Sequence, residues 1–321
     1  MTKTIIRRLL ILIPQMLILT VGIFILAQFM PGDVLAGLAE DPTIDPQVLH
    51  EIRLNMGLYD PWYVQYFRWI GGLAQGDWGR SWANAMPTLD IIAQRAGNSV
   101  RLGITTFVFT YLIAVPGGVI AGKNRDKFVD KFIVSITFLT IAMPTVIMAL
   151  INLFVFSVGL GWFPMAGSVN PTAVPGTFYH LMSSLRHMFL PALTGAFLNV
   201  FGIINILRNE VIDNENADYV TTARAKGVPS QAIYRNHVAR NASLPIVATV
   251  GLAFAGMITG SIFIEQVFSF PGLGQLFISS ITLRDFPVVN ALVVIFAFLL
   301  VGASLFSDIL ITVVDPRIRI K

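Results

Sequence analysis

Cysteine is absent from the 321 residues, and charged side chains account for only 12% of them. A chain without cysteine forms no disulfide and offers no thiolate to a metal. Soluble domains carry about 25% charged residues, so this chain has too few charges for a surface exposed to water. Because 55% of the residues are hydrophobic and the mean hydropathy is +0.72, the composition predicts a membrane protein.

Motifs for catalysis and metal binding are missing as well. The sequence contains neither an H-E-x-x-H metalloprotease motif nor a Gly-x-Ser-x-Gly nucleophile elbow. We therefore predict no catalytic residue, no metal site and no cofactor bound by this chain. The net charge of +4 is explained by charges that orient membrane spans, so no nucleic-acid partner is expected. The histidines are scattered without metal-ligand spacing, at His50, His180, His187 and His237.

One stretch matches a nucleotide-binding loop in its letters only. Residues 117–124 satisfy G-x-x-x-x-G-K, but Asn124 stands where a P-loop has a hydroxyl for magnesium. A P-loop also joins a strand to a helix, whereas this stretch closes an apolar helical segment that contains Pro116. Close helix packing at Gly118 and Gly122 explains the glycines instead. ATP binding by this chain is not expected.

Six apolar stretches are long enough to cross the bilayer as helices. About 20 residues cover the roughly 30 Å of hydrocarbon, and helices are expected because every backbone polar group in lipid needs an internal partner. The sequence predicts an all-α polytopic membrane protein that forms one transmembrane domain over residues 1–321. The predicted spans are about 9–29, 102–122, 132–158, 187–207, 244–265 and 288–314.

The segments between the spans carry an orientation signal. The first stretch is expected to be a retained span, since its apolar part exceeds the roughly 7–15 residues of a signal-peptide core. Lysine and arginine concentrate on one side, which places that side and both termini in the cytoplasm of a bacterial inner membrane. The basic residues of that side are Lys3, Arg7, Arg8, Lys123, Arg125, Lys127, Lys131, Arg208, Arg224, Lys226, Arg235, Arg240, Arg317, Arg319 and Lys321.

The opposite, external side has a long segment, residues 31–97, with an aromatic run from Trp62 to Trp69. An aromatic belt at the lipid interface and a ligand-binding surface are the two explanations of this run. Glu265 lies at the outer end of the fifth span, and two roles remain for it, namely local capping or pairing and a function in transport. The polar residues within the spans are Asn199, Asn205 and Ser261. They are explained equally well as donors of interhelical hydrogen bonds or as residues that line the transport pathway.

The most informative segment is the predicted cytoplasmic loop, residues 208–243. It contains a well-marked short helix over residues 217–226, for which Asn214 or Asn216 is the expected N-cap. Gly227 is expected to end this helix in a left-handed conformation. A second helix is predicted from Ser230 to about residue 241.

One face of the short helix is apolar, because Tyr219, Val220 and Ala223 fall close together on it. A helix of this length is marginal in water by itself, so docking of this face into a groove of another protein is one explanation. A connector lying on the membrane surface is the alternative. A helix-turn-helix DNA reader is less suitable, because the helices are short and tethered to the membrane at both ends.

The same segment resembles a known motif. Residues 221–227 read TTARAKG, and with Leu244 and Pro245 they resemble the EAA motif of ABC importer permeases. Thr221 and Thr222 depart from the usual Glu and Ala, and the stretch to Pro245 is longer than in the generic motif. Both departures resemble the peptide and nickel branch of the family, in which a TARAKG form is common.

Further signatures of that branch occur in the same order along the whole chain. They are RRL at 7–9, PGD at 31–33, GDWGRS at 76–81, EQVFSFPGLG at 265–274 and RDFP at 284–287. The resemblance implies the type I ABC importer permease fold and a B-type permease subunit of a dipeptide or oligopeptide importer. The permease itself would be no enzyme, with ATP and magnesium bound by partner subunits.

The resemblance also implies partners and sites. The partners would be a second homologous permease, two cytoplasmic ATP-binding subunits, an external peptide-binding protein and membrane lipid. Residues implied in coupling to the ATPases are Ala217, Tyr219, Val220, Thr221, Thr222, Ala223, Lys226 and Gly227. Residues implied in the external loop or gate are Glu265, Phe268, Pro271, Gly272, Gly274, Arg284 and Asp285. A permease for nickel or another small solute remains the alternative, followed by a secondary carrier that needs no ATPase.

Overall fold

The computed structural model describes residues 2–28, 45–55, 57–234, 238–259 and 261–314. Within these residues β pairing is limited to one bridge between Arg80 and Pro87. Some sequence predictions lie outside the described residues, namely those on residues 31–33, Arg235, His237, Arg317, Arg319 and Lys321. The side chains of Lys3, Arg7 and Arg8 also lie outside them.

The described residues form helices joined by turns. A π-helical segment, Leu153–Gly159, directly follows α6. The helices are α1 Thr2–Gln28, α2 Pro46–Asn55, α3 Trp62–Ala74, α4 Thr88–Lys123, α5 Phe128–Ala142, α6 Thr145–Asn152, α7 Phe178–Glu215, α8 Asp218–Ala225, α9 Ser230–Ile233, α10 Ala239–Ala242, α11 Leu244–Thr259, α12 Ile262–Val267, α13 Leu273–Thr282 and α14 Phe286–Val314.

Several helical stretches have the length and apolar composition of membrane spans. α5 and the α6–π segment pass the same test together as a bent pair, and in α1 the stretch Ile13–Leu26 is a shorter apolar helix. The prediction of an all-α multi-pass membrane protein is confirmed, while the number six stays a prediction. Among the described residues, four stretches are long enough by themselves: Thr88–Lys123, Phe178–Glu215, Ala239–Val267 and Phe286–Ser307.

The predicted third span, residues 132–158, is not one straight helix. α5 ends at Ala142, Met143 is extended, and the next helix starts after Pro144 at an angle of 108°. A residue before proline is disfavoured in the helical conformation, which explains a break at this dipeptide. Beyond the break, Asn152 Nδ2 donates a hydrogen bond to the Thr194 hydroxyl of α7 at 3.0 Å.

Two helices are longer than the spans predicted from charge-free windows. α4 begins at Thr88, inside the predicted external segment 31–97, and α7 continues to Glu215, inside the predicted loop 208–243. A window without charges measures the hydrocarbon thickness, whereas a helix can continue into the polar interface with charged residues. These helices therefore extend beyond the predicted span limits, and the span limits themselves stay a prediction.

The chain divides into two compact units. The first comprises residues 1–96 and 276–299. In it, α1 packs on α3 through Phe24 and Tyr66, whose ring centroids are 5.6 Å apart, and Thr20 shares a hydrogen bond with the Tyr66 hydroxyl. The aromatic run at 62–69 thus lies on a helix in which Tyr66 is buried, whereas Trp62, Tyr63 and Phe67 are exposed.

The second unit comprises residues 97–275 and 300–321. Its α4 and α7 pack at the P-loop-like stretch, which is helical up to Lys123. A Cβ added to Gly118 would lie 2.8 Å from Leu207 Cβ, and one added to Gly122 would lie 2.7 Å from Val211 Cβ. The prediction that these glycines permit close helix packing is confirmed, and the strand of a P-loop is absent at this stretch.

Candidate functional site

The connection between α7 and α11 contains α8 at the position of the predicted coupling helix. α8 begins after Ala217, whose extended backbone places it at the N-cap and whose carbonyl accepts the amides of Val220 at 2.9 Å and Thr221 at 3.2 Å. The predicted caps are wrong, because no side chain caps α8. Asn214 and Asn216 donate their side-chain amides to carbonyls one turn earlier in α7 instead.

The end of α8 matches its prediction. Gly227 has a φ of +75°, its amide binds the Arg224 carbonyl at 3.0 Å, and the Val228 amide binds the Ala223 carbonyl at 3.2 Å. These two bonds form a Schellman motif, in which a left-handed glycine satisfies the last carbonyls of a helix. The left-handed stop at Gly227 is confirmed.

The apolar face of α8 points into this chain. Val220 is 0% and Ala223 8% exposed. Both belong to one buried cluster, which we name the α8 cluster and which consists of Leu207, Val211, Val220, Ala223, Ile233, Val238, Ala242 and Ile246. The prediction that Val220 and Ala223 form a free docking face is therefore wrong. Sequence periodicity identifies an apolar face, but only the fold decides what covers it.

The other residues of α8, including Tyr219, which the sequence predicted on the apolar face, are exposed. Tyr219 is 38% exposed, and its hydroxyl donates to Asn214 Oδ1 at 2.5 Å. The Thr222 hydroxyl donates to the Asp218 carbonyl of its own helix. The exposed residues from the predicted coupling set are Tyr219, Thr221, Thr222, Lys226 and Gly227, and Ala217 is half-buried.

Polar contacts join α8 and the residue that follows α9 to neighbouring helices. Arg224 pairs with Glu215 of α7 at 3.0 Å, and Lys123 at the end of α4 lies 5.1 Å from the centre of the Tyr234 ring. Burial, followed by a hydrogen bond to Glu215, raises the pKa of Tyr234 to about 12. Sequence reasoning did not identify Glu215 and Tyr234 as partners, because they are far apart in the chain.

A partly buried ion pair joins the first turn of α5 to α7. The Arg208 guanidinium of α7 donates from Nε at 2.6 Å and from Nη2 at 2.7 Å to the two carboxylate oxygens of Asp130 on α5. Asp130 also accepts the backbone amide of Asp126 at 2.9 Å. Arg208 was assigned only an orientation role from the sequence, and no local pattern indicates this partner.

The predicted external residues fall into two groups, the first of which surrounds Glu265. The Glu265 side chain is 0% exposed, so it is not an interfacial residue in contact with solvent. Its Oε1 accepts the hydroxyls of Ser99 at 2.7 Å and Ser261 at 2.8 Å. Its Oε2 accepts the amides of Gly274 at 2.7 Å and Gln275 at 3.1 Å. We name these five residues the Glu265 cluster.

The loop between α12 and α13, residues 268–272, packs around that cluster. Phe268 and Phe270 are buried among apolar residues of α4, α6 and α7. The Pro271 carbonyl accepts the side-chain amide of Asn98 at 2.8 Å. A Cβ added to Gly272 would overlap Glu265 Oε2 and Ser99 Oγ, and one added to Gly274 would lie 2.5 Å from Ile262 Cα. These glycines therefore allow the backbone to approach the carboxylate.

The second group belongs to the other unit. Asp285 is buried before α14 and accepts the Ser81 hydroxyl, the Trp82 amide at 3.0 Å and the Ala83 amide at 3.4 Å. Trp82 and Phe286 stack edge to face at 5.4 Å. Arg284 has a left-handed backbone with a φ of +57°. In the sequence prediction, Arg284 and Asp285 form one group with Glu265. In the structure, Asp285 and Glu265 accept hydrogen bonds from different segments of the chain.

Two of the remaining polar candidates are satisfied inside α7. Asn199 and Asn205 of α7 donate to the carbonyls of Gly195 at 2.7 Å and Phe201 at 2.9 Å, and Ser261 belongs to the Glu265 cluster. In the part of the chain that the structure describes, no group of three or more histidine or acidic residues is placed to hold a metal.

Two family models match the chain. The model described as "Binding-protein-dependent transport system inner membrane component" matches residues 114–320. The model for the N-terminal part of the membrane component of binding-protein-dependent transport systems matches residues 1–105. Together they account for nearly the whole chain.

Two named relatives align with this chain over nearly the full length of both sequences. The chain is 37% identical over 320 residues to the oligopeptide transport system permease protein AppB of Bacillus subtilis strain 168, covering 99% of this chain and 100% of AppB. It is 34% identical over 321 residues to the glutathione transport system permease protein GsiC of Escherichia coli K12, covering 100% of both.

A solved structure has the same fold. A chain of the inward-facing MetNI methionine ABC transporter aligns with a TM-score of 0.57 and 15% identity, covering 71% of this chain and 98% of that one. The predicted fold class is thereby confirmed. From the family matches and the full-length relatives together, we conclude that the chain belongs to the inner membrane components of binding-protein-dependent transport systems and is a permease of an ABC importer.

Proposed function

We propose that this permease imports peptides, forms half of the translocation pathway and is driven by cytoplasmic ATPases through α8. The relatives support peptide as the substrate class, since one is named for oligopeptides and another for glutathione, a tripeptide. The single observation that carries the ATPase contact is α8 itself, a short helix whose inner face is buried in its own chain and whose outer face is exposed.

Burial divides the coupling residues into two roles. Val220 and Ala223 anchor α8 to α7 and to the helices that follow it, so they transmit movement. Tyr219, Thr222 and Lys226 lie three or four residues apart on the exposed face, so they make the partner contact.

The proposed cycle is alternating access. ATP binding closes a pair of ATPase subunits, and the movement passes through α8 into α7 and α11 because all three share the α8 cluster. This chain and a second homologous permease then open outward, accept peptide from an external binding protein and return inward after hydrolysis. This chain performs no hydrolysis, and ATP and magnesium belong to the partner subunits.

The orientation belongs to the same proposal. The basic residues Lys123, Arg125, Lys127 and Lys131 occur at the end of α4, in the α4–α5 connection and at the start of α5. The same side includes Arg208 of α7, which pairs with Asp130, and Tyr234, whose ring lies beside Lys123. Positive residues favour the cytoplasm, so α8 and both termini face the cytoplasm.

The decisive experiment is purification of the complex with its binding protein and reconstitution in liposomes. We expect two ATP-binding subunits to co-purify and ATP-dependent uptake of a radiolabelled tri- to pentapeptide. Uptake of nickel but not peptide would favour the small-solute alternative, and uptake in a particle without ATPase would favour a secondary carrier.

A paired test examines the α8 contact. Lys226→Glu places the opposite charge on the exposed face and is expected to reduce uptake and binding-protein-stimulated ATPase activity at least about tenfold. Arg240→Glu, a charge reversal outside α8, is the matched control. Normal uptake by the Lys226 variant would remove α8 as the contact.

A further inference from the structure

Glu265 is a charged side chain without a basic partner in a buried position. Among the described residues, the ion pairs do not include it, although its side chain has no exposed surface. Burial of an unpaired carboxylate is strongly unfavourable unless hydrogen bonds to the charge compensate it. The donors around Glu265 therefore have to be present together for the loop to keep its conformation.

The donors come from three separate places in the chain. Ser99 belongs to α4, Ser261 lies directly before α12, and the Gly274 and Gln275 amides belong to the first turn of α13. The carboxylate thus occupies the N-terminus of α13, where free amides and the helix dipole favour a negative charge.

The direction of one bond is determined by its neighbour. The Ser99 hydroxyl oxygen accepts the Leu273 amide at 2.7 Å, so its only proton is available for Glu265. Ser99 therefore connects α4 to α13 twice, once directly through Leu273 and once through the carboxylate. Neither residue fulfils this role without the other.

We propose that Glu265 is a positioning residue that makes α12, the α12–α13 loop and the first turn of α13 move with α4 as one body during transport. The proposal rests on the importer function and adds a structural requirement to it. The loop is packed and is not a flexible external segment. Phe268 and Phe270 are buried, and the glycines of the loop leave room for the carboxylate.

Hydrogen exchange of the complete complex tests the positioning directly. In the wild type we expect slow exchange of the Leu273, Gly274 and Gln275 amides, because each binds the Glu265 cluster. Glu265→Ala is expected to accelerate exchange in this peptide at least about tenfold. Gln266→Ala, an exposed neighbour on the same helix, is the matched control and should exchange like the wild type.

Glu265→Gln is the rescuing variant. A glutamine oxygen can accept the Gly274 and Gln275 amides, and its amide group can donate to the two serine hydroxyls. We expect exchange within about threefold of the wild type. Rapid exchange in the Gln variant, equal to that of the Ala variant, would overturn the hydrogen-bonded positioning.

The second readout is coupling, which a merely stabilising residue would leave unchanged in the assembled particle. Glu265→Ala is expected to retain basal ATPase activity but to lose most of the stimulation by loaded binding protein and to hydrolyse more ATP per substrate imported. Unchanged stimulation and stoichiometry despite fast exchange would overturn the role in transport.

Ser99→Ala keeps the test decisive if the Glu265→Ala complex does not assemble. It removes the hydroxyl that binds Leu273 and Glu265 and leaves the other donors, so exchange at Leu273 should still rise about threefold or more. No rise at Leu273 would overturn the proposal. The exchange results do not depend on the identity of the substrate, so a failure of peptide uptake would not be confused with a failure of the positioning.

Discussion

The connection at α8 and the loop at Glu265 both interrupt apolar helices, but they are held in different ways. Among its described residues, the α8 connection buries apolar side chains, and its Arg224–Glu215 ion pair is largely on the surface. The α12–α13 loop is organised around a buried charge with four donors. A surface of apolar contacts tolerates small shifts, whereas a set of directional bonds to a buried charge either forms or does not.

This difference suggests a division of labour in the proposed transport cycle. The α8 connection can adjust its packing while a partner pushes on its exposed face. The α12–α13 loop keeps one geometry and follows the helices to which it is bonded. Substitutions at buried positions of α8 or beside Glu265 should therefore change stability and coupling much more than substitutions on the exposed surface.

The largest effect is expected when a charge is placed among the apolar residues of α8. Val220→Asp buries a carboxylate without donors and should destabilise the assembled protein by about 3 kcal/mol or more. Thermal unfolding of the detergent-solubilised complex measures this loss. Thr221→Asp, on the exposed neighbouring position, should unfold like the wild type, and a stable Val220 variant would contradict the burial.

Next in size is the closing of the space beside Glu265. Gly272→Ala inserts a methyl group against Glu265 Oε2 and Ser99 Oγ, and overpacking of this kind costs about 1–3 kcal/mol. We expect a lower unfolding temperature and a loss of coupling. Gly97→Ala, where the added methyl group meets nothing within 4 Å in this chain, is the control that should leave both unchanged.

A smaller effect is expected at the end of α8. Gly227→Ala meets no neighbouring atom, so its penalty comes only from the left-handed backbone at a φ of +75° and amounts to about 1 kcal/mol. We expect a clear loss of peptide uptake with only this small loss of unfolding free energy, because the helix end belongs to the exposed face proposed to contact the ATPase. Gly76, which also has a positive φ and open space but lies outside α8, provides the matched Ala control for stability alone.

Tyr234→Phe should remove about 1 kcal/mol by deleting the hydrogen bond to Glu215. The raised pKa of Tyr234, about 12 against an ordinary 10.0, adds a pH signature. The stabilisation is complete below the ordinary pKa and is lost as the pH rises through the folded one, since the unfolded chain releases its proton first. Alkaline unfolding curves of wild type and variant should therefore converge, and parallel curves would contradict the assignment.

The smallest effect is expected for Arg224→Ala. The Arg224–Glu215 pair is largely on the surface, and surface pairs contribute less than about 1 kcal/mol and weaken with salt. Unfolding measured at low and high ionic strength should differ from the wild type only at low salt. If Arg224→Ala lowered the unfolding free energy as much as Val220→Asp does, the surface ion pair would be as important as the buried apolar contact, and the comparison would fail.

Local sequence patterns predicted the apolar helices, the left-handed stop at Gly227 and the packing glycines Gly118 and Gly122. These features depend on hydrophobic length, backbone conformation and side-chain volume, which a short window contains. The break at Pro144 has a local cause, the Met143-Pro144 dipeptide, but the apolar length of residues 132–158 predicted one continuous span. The buried face of α8 could not be predicted, because periodicity does not identify the covering residues.

Composition and apolar runs suffice to predict a multi-pass helical membrane protein, and the ordered motifs carry the resemblance to importer permeases. The inward direction of Val220 and Ala223, the pairing of Asp130 with Arg208 and the bonds that Glu265 accepts from α4 and α13 became visible in the fold. These contacts join residues that are far apart along the chain. Apolar length and helix stops are local properties, whereas the partner of a buried charge is brought to it by the fold.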